Sequence, residues 1–237
     1  MLRLVRPEHM DDPDASREAL VATLRHLERL NRWVGGEAAL LDHLSVWSRR
    51  WPRGRTITLL DVGTGGADLP VTARAWAASR GFDLRVTGID VHERTLALAR
   101  ERVSGLEGVT LERCDAREIK KRLGAGSFDY VHAGLLLHHL PEIDVLTVLA
   151  GMDQVARAGI IWSDLNRSWL AAAGARILTI GAPAHVKHDA VASVRAAFTK
   201  REVLDIAGRL GLSHCRYRLS VCTQRFTLAG ERPGAWA

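Results

Sequence analysis

The stretch Ile57-Thr-Leu-Leu-Asp-Val-Gly-Thr-Gly-Gly-Ala-Asp68 decides the fold. An apolar run ends in an acid, Asp61, and then breaks into closely spaced glycines. The run predicts a buried parallel strand over 57–62 that delivers its backbone against a small ligand. Gly63 and Gly65 can take positive φ and carry no Cβ to hold a ligand off. A loop built for pyrophosphate keeps negative charge from its rim or adds a lysine. Here Asp61 lies inside the motif, Asp68 follows it and no lysine is near. That combination favours a ligand carrying positive charge.

Outward from this stretch, short apolar runs alternate with helical patterns, as in a doubly wound sheet. Strands are predicted at 57–62, 84–89, 109–113, 128–133 and 159–163, with helices at 69–79, 93–103 and 199–210. Residues 213–219 and 223–229 predict a closing hairpin. Leu20, Leu24, Leu27 and Leu30 recur at helical spacing before the sheet, and 36–50 predicts a second helix. Pro52 and Gly54 close this segment. The expected fold is therefore α/β and Rossmann-like. It is a doubly wound, mostly parallel seven-stranded sheet with a C-terminal antiparallel hairpin. An N-terminal helical cap (1–54) precedes the main domain (55–237), which carries an insertion at about 167–198.

The composition is that of an ordinary globular enzyme, with 47% apolar and 25% charged residues in 237. No apolar stretch is long enough for a membrane span. The N-terminus turns acidic where a secretion signal needs an apolar core, so a cytoplasmic location is expected. Cys114, Cys215 and Cys222 show no CxxC spacing, which argues against a disulfide framework or a zinc site. The net charge of +6 comes almost wholly from arginine scattered along the chain, with lysine only at 120, 121, 187 and 200. A nucleic-acid face is therefore not expected. These patterns leave the oligomeric state open, a homodimer being one possibility.

Ligands in such sheets sit beyond the carboxyl ends of the strands, where strand order reverses. Asp90 ends the second strand, where a carboxylate can accept from both hydroxyls of a ribose. Asp115 follows the third strand, where a carboxylate can accept from an adenine amino group while backbone at Ala116 meets the ring. An NAD fold has no fixed need for that second acid, so Asp115 shifts the weight from nicotinamide to S-adenosylmethionine (SAM).

Together these residues resemble the class I SAM-dependent methyltransferases. LLDVGTGGADLP (59–70) is similar to their first motif, GIDVHERTLALAR (88–100) to their second and CDARE (114–118) to their third. FDYVHAGLLLHHLP (128–141) and IIWSDLN (160–166) stand in the places of the fourth and fifth. One departure is Ala67, which occupies the third position of the glycine triplet. The resemblance implies SAM as cofactor, held by Asp61, Gly63, Thr64, Gly65, Asp90, Val91, Asp115, Ala116 and Ala133. The overall look is nearest to enzymes acting on small molecules of quinone, phenolic-lipid and natural-product pathways.

A phenolic acceptor, with a pKa of about 10, needs a base or a cation near it at neutral pH. His138 and His139 follow the fourth strand and Asp164 ends the fifth, so imidazole and carboxylate can meet as base and orienting partner. His139, next to the Leu-Pro turn, is the favoured base. The apolar stretch 169–186 has the composition of a cover over the acceptor. His188, Arg195 and Trp33 are further candidates for ligand contact. The expected activity is methylation of a small, partly apolar acceptor, most simply at a phenolic or other hydroxyl. Carbon methylation of a quinone-like ring is the alternative. A nucleic-acid methyltransferase is less favoured, because Ala133-Gly-Leu-Leu136 stands where a base-clamping Asn-Pro-Pro-Tyr would.

Overall fold

The computed structural model describes residues 3–5, 16–182 and 184–236. Helices α1 (Arg17–Trp33) and α2 (Gly36–Trp47) precede β1 (Ile57–Val62). There follow α3 (Asp68–Ala78), β2 (Leu84–Asp90), α4 (Glu93–Val103), β3 (Val109–Arg113), α5 (Ile119–Leu123) and β4 (Phe128–Gly134). The second half holds α6 (Glu142–Val155), β5 (Ala156–Leu165), α7 (Trp169–Leu178), α8 (Ala184–Ala196), α9 (Lys200–Arg209), β6 (Arg216–Ser220) and β7 (Arg225–Glu231).

The sheet runs β3-β2-β1-β4-β5-β7-β6. The first five strands are parallel, and β7 lies antiparallel between β5 and β6. Strand order reverses between β1 and β4, which opens a crevice at their carboxyl ends. Successive side chains of a strand face opposite layers. Leu60, Val62, Val131, Ile160 and Trp162 join α6 and α9 on one face. Ile57, Leu59, Tyr130 and Ile161 join α2 and α3 on the other, so Leu40, Leu44 and Trp47 of α2 belong to the core of the sheet.

The structure departs from the sequence pattern at several points. β5 begins earlier, at Ala156, because its pairing with β4 reaches Phe128. The hairpin strands start later, β6 at Arg216 after a turn at 213–214 and β7 at Arg225 after the turn at 221–224. The apolar stretch 169–186 is divided: α7 ends at Leu178, and Gly181 takes φ +81° before α8. Helix α6 escapes a 3.6-residue reading because Val145, Val148, Leu149, Gly151, Met152 and Val155 bury much of its circumference.

Among the described residues no helix is long and apolar enough to cross a membrane. Nor does any group of three or more His, Cys, Asp or Glu converge as for a metal.

Candidate active site

The crevice holds a cavity of about 430 Å³ whose floor is the loop after β1. Gly63 and Gly65 take φ of +71° and +53°. A Cβ on Gly63 would stand 2.8 Å from Leu136 Cδ1, so this turn admits no side chain without displacing a neighbour. The amides of Gly63 and Thr64 both donate to the Ile89 carbonyl at 2.9 Å, tying the loop to β2. Asp61 lines the cavity, but its carboxylate serves the loop: it accepts from Thr64 Oγ1 at 2.8 Å and meets His132 Nδ1 at 2.6 Å. Ala67, in the triplet's third place, is left-handed at φ +57° and wholly buried. Alanine tolerates this geometry at a small cost, so α3 still starts here with Asp68 in its first turn.

Asp90 presents the second acid to the cavity. One oxygen accepts from the Gly65 amide and the other from the His92 amide, both at 3.0 Å. Each oxygen keeps a second lone pair for a hydroxyl donor. Val91, half-exposed, and Ala116 also line the wall. Asp115 does so too, but Arg117 already grips it through the guanidinium, at 2.6 Å from Nη2, and the backbone amide, at 2.9 Å. That grip holds the Asp115 carboxyl below the usual range. Ala133 corrects the expectation from sequence. Its side chain is wholly buried in the core layer with Val62 and Trp162, and the cavity wall starts one residue later, at Gly134, Leu135 and Leu136. Leu135 takes φ +52°, a strained setting for a branched side chain at the end of β4.

His138 and His139 both line the cavity, their rings 4.2 Å apart. It is His138 whose Nδ1 meets Asp164 Oδ1, at 2.7 Å, with both residues buried. Asp164 itself stands behind the wall. Burial pushes its carboxyl up, but the His138 charge and hydrogen bond, the Leu165 amide and the Trp162 indole outweigh burial and hold it below the ordinary range. An ionised carboxylate can only accept, so in the neutral form of the imidazole Nδ1 carries the proton and the lone pair falls to Nε2.

The roof comes from two helices far apart in the chain. Leu24, Leu27 and Leu30 of α1 and Leu170, Gly174 and Leu178 of α7 close the cavity with apolar surface. Asn31 reaches down to Asp68 with Nδ2 at 2.9 Å. Burial raises the Asp68 carboxyl, with the Asn31 bond opposing. No periodic pattern marks Asn31, Gln224 or Arg225, which also line the cavity. Three sequence candidates fall elsewhere. Trp33 is 77% exposed and off the cavity. His188 and Arg195 line a separate hollow between α7 and α8 with Arg176 and Lys187.

With this geometry in view, a family model described as a methyltransferase domain matches residues 59–159. The chain is 30% identical to a demethylmenaquinone methyltransferase of Staphylococcus aureus over 158 residues, 63% of this chain and 61% of that one. These matches support a class I SAM-dependent methyltransferase, with the domain model covering residues 59–159. The match therefore spans about three fifths of the curated relative's length. Among solved structures, a SAM-dependent methyltransferase from Aquifex aeolicus aligns with a TM-score of 0.59 at 20% identity, over 93% of this chain and 98% of that one. Magnesium protoporphyrin IX methyltransferase from Synechocystis PCC 6803, with bound SAH, aligns with a TM-score of 0.57 at 18% identity, over 84% of each. At these identities the structures establish the shared fold. The residues of the cavity fit SAM: Asp90 has acceptor lone pairs to spare, the glycines allow close backbone approach, and Asp61 and Asp68 bring carboxyl groups to the floor.

Proposed function

We propose that this methyltransferase transfers a methyl group from SAM to a small, partly apolar ring that carries a hydroxyl. Asp90 would hold the ribose, Gly63 to Gly65 the methionine end, and Ala116 with Asp115 the adenine. Bound there, SAM supplies an electrophilic methyl. The acceptor must reach it stripped of its proton and of water. The single observation that carries this reading is the His138–Asp164 pair at the cavity wall. A phenolic hydroxyl against Nε2 would pass its proton to the ring, and the buried carboxylate would stabilise the imidazolium formed. The aliphatic roof would exclude water and make room for an apolar ring.

Transfer to the hydroxyl oxygen is the primary reading. The likeness to a demethylmenaquinone methyltransferase supports a second, in which the methyl goes to a ring carbon beside the deprotonated oxygen. A radiolabelled methyl-transfer screen over phenols and quinols tests both, with the product's methyl located by NMR. For a product methylated on oxygen, His138→Ala should lower turnover by about 10²- to 10⁴-fold, the range of a lost general base. Unchanged turnover would remove His138 from the reaction, and a product methylated on carbon would select the second reading.

A further inference from the structure

Arg225 opens β7 and is only 3% exposed, yet it lines the cavity. A buried guanidinium is ordinarily met by a carboxylate in fork geometry. No such partner stands against Arg225 among the described residues. Its hydrogen bond from Nη1 to Asn31 Oδ1 is 3.3 Å, long for a charge-assisted bond, and its Nε is buried without an acceptor. Asp164 and Asp68 act on it only through space. Both are engaged elsewhere, Asp164 by His138 and the Leu165 amide, Asp68 by Asn31. Burial pulls the guanidinium down to about 10, which leaves it charged at neutral pH.

The sheet register sets Arg225 one rung from Asp164, with its side chain on the opposite face of the sheet. Arg225 pairs with Leu165, and the next rung pairs Phe226 with Asp164. Arg225 and His138 nevertheless line the same cavity, so a fixed positive charge and the base stand around one space. We propose that Arg225 anchors the acceptor's oxygen as an anion, a phenolate- or enolate-type oxygen held in charged form. The proposal rests on the methyl-transfer reading and extends it to the acceptor's charge state. The balance is simple: the O–H proton goes to His138 Nε2, the bonding pair stays on oxygen, and Arg225 meets the charge so created. Neutral rings of the same size lack this anchor and are discriminated against.

The test uses 4-nitrophenol, whose anion has its own visible absorption, and nitrobenzene as the neutral counterpart. At a pH where free 4-nitrophenol is mainly neutral, the wild-type protein is expected to bind it with the anion's band and in preference to nitrobenzene. Arg225→Met should lose the band and weaken 4-nitrophenol binding by about tenfold, with Arg225→Lys keeping part of both. Because Met removes a buried charge that has no partner, the variant should melt no lower than wild type. A wild type that binds the probe neutral or not at all would overturn the proposal. So would an Arg225→Met variant that keeps the anion band, or one that melts lower while binding the probe unchanged. Titration with SAH (S-adenosylhomocysteine) is run separately. If wild type fails to bind it, the methyl-transfer reading falls, whereas the anion band judges Arg225 on its own.

Discussion

Asp90 is braced by two amides, from Gly65 and His92, before any ligand arrives. Such bracing fixes the carboxylate's direction, so hydroxyl donors meet a preorganised acceptor rather than a mobile one. Asp90→Ala removes two charge-assisted bonds and should weaken SAH binding, measured by calorimetry, by more than about tenfold. An unchanged dissociation constant would take the ribose away from Asp90. Residue by residue, the strand-end acids were legible because a carboxylate closing an apolar run has few other reasons to be there. Which histidine meets Asp164 was not legible. His138 and His139 are neighbours in sequence, and the short 3-10 turn at Leu137–His139 decides which ring turns inward. Arg225 was invisible for a related reason: nothing in its local pattern marks one arginine among many as buried.

Among the elements, α2 shows how far the N-terminal helices are part of the catalytic fold. Its Leu40 and Leu44 are almost wholly buried against β1, β4 and β5. Leu44→Ala should cost about 2–5 kcal/mol, the range for a buried leucine whose site cannot fully collapse, read from urea unfolding. A cost within experimental error would mean that α2 is only a loose cover. The parallel strands were readable because their burial on both faces leaves nearly continuous apolar runs. Helix α6 was not readable for the same physical reason, since burial on several sides erases the polar face that gives a helix its period. The break between α7 and α8 depends on one backbone torsion at Gly181, which hydropathy does not register.

For the whole molecule, the balance of buried charge sets the response to acid. Asp164 and Glu202 are both held below the ordinary carboxylate range in the folded protein. A lowered folded pKa contributes stability that is fully present above the unfolded value of about 3.9 for Asp, and is lost as pH falls through the folded one. Thermal melting should therefore stay level near neutrality and drop steeply below about pH 4. Asp164→Asn should melt lower than wild type at pH 7 and close much of that gap in acid. A constant gap across the range would mean that the carboxylate's charge is not what the fold depends on. At this scale the doubly wound order of the sheet was legible from strand and helix alternation. The roof was not, because it joins α1 to β7 and α7 across long separations that no local pattern reports.

The antiparallel strand β7 follows every other strand of the sheet in the chain, and it alone brings Arg225 and its contact with Asn31 of α1. Proteins leave the ribosome from their N-terminus. A nascent chain can thus shape the glycine loop and the Asp90 shelf while the opposite wall has not yet been made. On the proposed role of Arg225, discrimination between substrates would be the last property this catalyst acquires at birth.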